Sequence, residues 1–176
     1  MGGNINLDSG TIKYDGVGST SNFIAGDYFN NLTISSSGTN TFDDDLEIKN
    51  DVLIESGVLN PDGNTLTVGG DWTNNVGSAG FTEGAGRVIF NGSSHQYVNS
   101  DETFNILEVD CGAALRPGSN TVICNVYDWT SGGIDVYDGT FTALDLADWG
   151  LYGGFWVNPG GTINPVSYTH LTLPTN

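Results

Sequence analysis

The chain repeats itself at an interval of about 75 residues, and this period restricts its possible folds more than any other feature. FNNLTI at residues 29–34 returns as FNILEV at residues 104–109, a shift of 75. GTIKYDG at residues 10–16 returns as GRVIFNG at residues 86–92, a shift of 76. Ser56-Gly57 matches Ser131-Gly132, and Thr65-Leu66-Thr67 matches Thr140-Phe141-Thr142, both at 75. Asp62-Gly63 pairs with Asp138-Gly139, and Asp71-Trp72 with Asp148-Trp149, within two residues of that shift. A further copy begins at Gly161-Thr162-Ile163. The expected division is an edge at residues 1–9, copies at 10–85 and 86–160, and the start of a third at 161–165.

Within each copy short β segments alternate with turn residues. Leu32-Thr33-Ile34, Leu46-Glu47-Ile48, Val52-Leu53-Ile54, Thr65-Leu66-Thr67-Val68 and Val88-Ile89-Phe90 are separated by SSSG, KN, SG, PDGN and GG clusters. No long window carries an apolar stripe at helical spacing, and 26 glycines would be costly in helices. The chain is therefore expected to be all-β.

Strand centres near residues 33, 53, 67, 88 and 108 suggest coils of about 20 residues, the range of a solenoid. The expected fold is a parallel β-solenoid, a right-handed β-helix of about eight coils. Leu32, Ile34, Leu53, Leu66 and Val88 are expected to point inward, with Gly and Asn at left-handed corners. A β-sandwich of two repeats is the alternative. It is disfavoured because Asp-Gly and Asn-Gly pairs flank only short strands and because the repeat runs on into a third copy.

Charge narrows the partners. Twenty-one acidic residues face 4 Lys and Arg, a formal net charge of −17. Such a surface repels phosphate backbones and anionic lipids, so neither nucleic acid nor membrane insertion is expected. No apolar run is long enough to span a bilayer.

The last eleven residues, VSYTHLTLPTN at 166–176, differ in style from all before them. They resemble a translated transposase-type sequencing adapter: GTC TCT TAT ACA CAT CTG ACG CTG CCG ACG encodes the first ten. They are expected to be non-native, which leaves His95 as the one natural histidine and makes the chain a fragment.

FNNLTISSSG, GVLNPDGNTLTVGGDWTNN and GRVIFNGSSHQYV resemble repeats of large secreted or cell-surface bacterial proteins, Bacteroidota-like ones especially. These are similar to the β-helices of filamentous-haemagglutinin-like and autotransporter passengers. The resemblance spans about residues 10–165 and is loosest at FTALDLADWGLYGGFWVNPGG. It implies an extracellular or cell-surface passenger or stalk and carries over no catalytic residue.

Candidate chemistry is sparse. His95 sits in GSSHQYV, whose counterpart GSTSNFI has no histidine, so an exposed polar residue is expected rather than a catalytic base. Asp62 and Asp138 lie in loops with partial calcium-ligand spacing, and Asp43 and Asp45 supply charge, but neither loop has the full alternating pattern or the Glu at loop position 12. Calcium is the one cofactor considered, and Asx-supported turns are the simpler reading. Aromatic residues cluster in the second copy, where Trp156 and Tyr152 are the candidates for stacking on glycans or other cell-surface components. Cys111 and Cys124 replace Ser36 and Lys49 of the first copy. They form either a bridge worth ~3 kcal/mol or two buried thiols. The expected function is a non-enzymatic stalk module. A carbohydrate-binding adhesin module is the first alternative, and a fragment of a polysaccharide-degrading β-helix enzyme the second.

Overall fold

The computed structural model describes residues 8–18, 20–23, 28–146 and 154–165. Among the described residues there is no α-helix, and every strand pair is parallel. Parallel neighbours cannot be joined by tight hairpins, so the sandwich is excluded. The chain is a β-solenoid.

Three sheets run along it. The first holds β1 (Thr11–Tyr14), β2 (Thr20–Phe23), β4 (Asn31–Phe42), β6 (Val52–Asn60) and β8 (Trp72–Asn74). The longest stacks eight strands: β3 (Tyr28–Phe29), β5 (Leu46–Ile48), β7 (Thr65–Val68), β9 (Arg87–Phe90), β11 (Glu102–Asp110), β13 (Thr121–Ser131), β15 (Thr140–Leu146) and β17 (Thr162–Pro165). The third holds β10 (Gln96–Tyr97), β12 (Leu115–Arg116), β14 (Gly133–Val136) and β16 (Gly154–Val157). Eight stacked strands correspond to about seven turns of chain, close to the eight coils expected.

Alternation within each strand builds the core. Phe29, Ile48, Val68, Phe90 and Val109 stack in register, as do Leu46, Leu66, Val88, Leu107 and Tyr127, and all are buried. Burying each such side chain contributes roughly 1.5–3 kcal/mol. Leu32, Val52 and Trp72 form a third ladder, continued by a bridge to Val98. Leu53, expected inside, faces outward: Val52 and Ile54 take the buried positions on either side of it. The period-two pattern VLI allows either register, and the ladder with Leu32 and Ile34 decides it.

Sequence repeat and coil are out of phase. Partners on paired strands of adjacent coils are 19 to 22 residues apart, as in Tyr28–Glu47 and Thr65–Arg87, and the Trp72–Val98 bridge spans 26. A 75-residue repeat therefore advances about three and two thirds coils, a third of a turn short of returning to the same face. Residues 31–34 accordingly lie in the first sheet and their counterparts 106–109 in the longest. Thr41 lies in the first sheet and its counterpart Arg116 in the third. The 14-residue gap between strand centres 53 and 67 is thus a step from one sheet to the next, not a short coil.

Local geometry nonetheless repeats. Gly57 (φ 80°) and Gly132 (φ 76°) turn equivalent corners against the coil before. A Cβ on Gly57 would lie 2.5 Å from Ser36 Oγ and 2.7 Å from the Gly38 carbonyl oxygen. One on Gly132 would lie 2.7 Å from Cys111 Sγ and 2.8 Å from the Ala113 carbonyl oxygen. Asparagines were expected to share the left-handed corners, but among the described residues the non-glycine residue there is Asp62 (φ 52°). Asparagines act through their side chains instead. Asn50 Nδ2 donates to Asn30 Oδ1 (2.6 Å), and 75 residues on Asn125 Nδ2 donates to Asn105 Oδ1 (3.3 Å).

Candidate binding face

The third sheet presents an outward stripe of side chains. Gln96, Leu115, Ile134 and Phe155 point toward the core, so the next residue of each strand points out. The stripe reads Tyr97, Arg116, Asp135 and Trp156, one residue per coil. At ~4.8 Å per coil it is about 14 Å long.

Its centre is an ion pair held in a fixed geometry. Arg116 Nε and Nη2 both donate to Asp135 Oδ2 (3.0 and 2.8 Å), and Nη1 donates to the Tyr97 hydroxyl (3.1 Å). The guanidinium lies 5.0 Å from the ring centroid of Tyr137 and 5.9 Å from that of Tyr97. Both are within cation–π range. Burial works against the Arg116 charge, but bonds to Tyr97 and Asp135 outweigh it and hold its pKa above the ordinary value. Asn158 Nδ2 donates to the other oxygen, Asp135 Oδ1 (2.9 Å). Asp135 is thereby buried despite facing outward.

Trp156 closes the stripe, 51% exposed. Its ring folds back over the strands because two glycines make room. A Cβ on Gly154 would come within 2.2 Å of the ring, and one on Gly133 within 2.5 Å. Tyr137 (46%) and Tyr97 (37%) are the other exposed rings here.

The remaining candidates scatter. Tyr152 lies outside the described residues, as do Trp149 and residues 166–176. Asp43, Asp45, Asp62 and Asp138 are exposed. Asp45 Oδ1 accepts the Thr65 N–H (2.7 Å), a bond from one coil to the next, and the Asp62 N–H is donated to Asn60 Oδ1 (2.8 Å), which supports the turn. Among the described residues no group of three or more His, Cys, Asp or Glu side chains converges as a metal site requires.

Cys111 and Cys124 are separate buried thiols, not a disulfide. Cys111 sits at the Gly132 corner, whereas Cys124 is mid-strand between Phe104 and Ala143, so neither faces the other from an adjacent coil. Burial pushes the Cys124 thiol up to about 12, which makes it inert.

Two other clustered aromatics are structural. Trp129 Nε1 donates to the Gly132 carbonyl (3.0 Å), and Phe155 packs 5.4 Å from Tyr127. His95 is exposed in a loop. Each of the four basic side chains is ion-paired: Lys13 with Glu55, Lys49 with Asp8, Arg87 with Glu108 and Asp128, and Arg116 with Asp135.

Sequence reasoning missed Tyr97, Arg116 and Asp135. Their only signal is a spacing of 19, 19 and 21 residues up to Trp156, one coil at each step. No protein-family model matches the chain, and no curated protein or solved structure is significantly similar to it.

Proposed function

We propose that this chain is a non-enzymatic spacer module of a large secreted or surface-anchored bacterial protein, a stiff rod that holds other regions away from the cell. The supporting observation is the unbroken parallel stack. Each coil bonds to the next through backbone ladders and corner side chains, and seven steps of ~4.8 Å give a rod about 34 Å long. A net charge of −17 keeps neighbouring rods apart. The basic side chains that a lyase would direct at an acidic polysaccharide are all committed to carboxylates of the chain itself.

Two measurements test this reading. Pulled from its ends in an optical trap, the chain should unspool in steps of about one coil, each releasing roughly 70 Å of extended chain. Collapse in a single step at low force would count against a mechanical role. Incubation with pectic, alginate and neutral polysaccharides should release no new reducing ends or unsaturated products. Turnover of any of them would replace the spacer with an enzyme.

A further inference from the structure

We propose that the outward face of the third sheet binds an uncharged oligosaccharide, with Trp156 as the stacking platform and Tyr137 and Tyr97 as flanking rings. This goes beyond the spacer role and does not depend on it.

The first support is that the solenoid does not need these side chains. Seventy-five residues earlier, Arg116 and Asp135 correspond to Thr41 and Asn60, and with Asp62 matching Asp138, Tyr137 is an extra residue with no counterpart between Pro61 and Asp62. Thr41 and Asn60 are likewise paired on adjacent strands, so the same corner is built there with no ion pair and with its aromatic rings, Phe42 and Phe81, buried rather than exposed. Sheet geometry alone therefore does not call for the stripe.

The second support is the seating of Trp156. An exposed indole on an ordinary strand would stand away from the sheet and move among rotamers. Here the missing side chains of Gly133 and Gly154 let the ring lie over the backbone, held on one side and open on the other. A half-exposed ring restrained in this way loses little rotamer freedom when a ligand covers it. An aromatic face of this kind suits the C–H face of a pyranose.

The third support is charge. Arg116 and Asp135 neutralise one another, and Asn158 occupies the remaining carboxylate oxygen. The stripe thus carries no free cation for an anionic sugar, within a protein whose net charge of −17 repels one. Peptide backbone would find no unpaired strand edge across these strands, which are hydrogen-bonded to one another. The ligand left is neutral, with an apolar face for the rings and hydroxyls for the Tyr97 and Tyr137 phenols and the Asn158 amide.

The test uses the full chain and follows tryptophan fluorescence during titration with cellohexaose, xylohexaose, laminarihexaose, mannohexaose and, as the anionic control, hexagalacturonate. Saturable quenching by at least one neutral hexaose is expected, with no response to hexagalacturonate. Calorimetry with that sugar should show roughly tenfold weaker binding for Trp156→Ala and a smaller loss for Tyr137→Phe, which keeps the ring and removes the hydroxyl. Lys13→Ala, on a different sheet, should bind as the parent does. Melting curves identify any variant that fails to fold, and Trp156→Phe, which retains a ring, should keep part of the affinity.

The proposal fails if none of the neutral hexaoses binds, if hexagalacturonate binds best, or if Trp156→Ala binds unchanged. It also fails if the parent dimerises in sedimentation while folded Trp156→Ala stays monomeric, since the face would then belong to a second copy of the chain. None of these outcomes touches the force and turnover measurements, so the spacer and the sugar site stand or fall separately.

Discussion

In the first copy the inner side of the Gly57 corner is filled by Ser36 and Asn40; in the second, the Gly132 corner is filled by Cys111 and Leu115. Asn40 Nδ2 reaches Ser36 Oγ (2.6 Å), the Gly38 carbonyl (3.3 Å) and the Val58 carbonyl (3.1 Å), while its Oδ1 has no hydrogen-bond partner. Leu115 is fully buried with no such network to satisfy. Around these different fillings the frame is the same. Ser56 Oγ donates to the Ser36 carbonyl (3.0 Å) and Ser131 Oγ to the Cys111 carbonyl (3.1 Å). The repeat therefore preserves how the backbone turns and leaves open what fills the turn. That freedom also let one copy acquire an aromatic stripe the other lacks.

The largest effect is expected where the copies meet. Trp72 packs edge-on against Phe81 (4.9 Å) and Phe104 (5.5 Å), and its Nε1 donates to the buried Glu102 Oε2 (2.9 Å). Trp72→Ala should cost about 3–5 kcal/mol in urea unfolding from the cavity alone, and more from the donor Glu102 loses. A loss under ~1 kcal/mol would mean the two copies fold independently of this seam.

Gly57→Ala and Gly132→Ala come next. Each places a Cβ against the previous coil at a left-handed backbone angle, so each should cost roughly 1–3 kcal/mol. The two costs should agree to within about 0.5 kcal/mol if the corners are equivalent. A clear inequality would show that the filling, not the frame, sets corner stability.

Transplanting the filling sharpens the same point. Ser36→Cys with Asn40→Leu gives the first corner the side chains of the second. It removes a buried polar pair together with an unpartnered acceptor, which offsets the Asn40 donor that the Gly38 and Val58 carbonyls lose. Melting should change by less than about 1 kcal/mol in equivalent stability, and a loss above ~3 kcal/mol would show that the corners are not interchangeable.

Much of this frame was legible in the chain. FNNLTI with FNILEV and Ser56-Gly57 with Ser131-Gly132 revealed the repeat because corners demand small residues at fixed places whatever else changes. Which sheet each segment joins was not legible, because that depends on adding up coil lengths, and loops make these vary from 19 to 26. Residues 31–34 and 106–109, alike in sequence, therefore lie in different sheets. Leu53, expected inward, faces out because VLI fits either register. The binding face suffered most. Trp156 stood out as an aromatic, but Tyr97, Arg116 and Asp135 become its neighbours only when chain positions a coil apart are stacked.

Glu102 is where the seam between the copies responds to pH, with the smallest effect expected. Its Oε2 accepts from Trp72 Nε1 and Asn74 Nδ2, and its Oε1 from the Thr103 N–H. Burial nevertheless dominates these bonds and raises its pKa above the ordinary 4.5. A carboxyl whose folded pKa is raised adds stability while protonated in both states and loses it as pH climbs from 4.5 through the folded value. Glu102→Gln keeps an acceptor for Trp72 and cannot ionise, so it mimics the protonated acid. The parent-minus-variant difference in stability should therefore move against the parent as pH rises through this window and stay flat below it. Asp71, also raised by burial, is common to both proteins and cancels in the difference. If the difference is flat throughout, or grows in the parent's favour with pH, the hydrogen bonds outweigh desolvation and the seam is held by the charge.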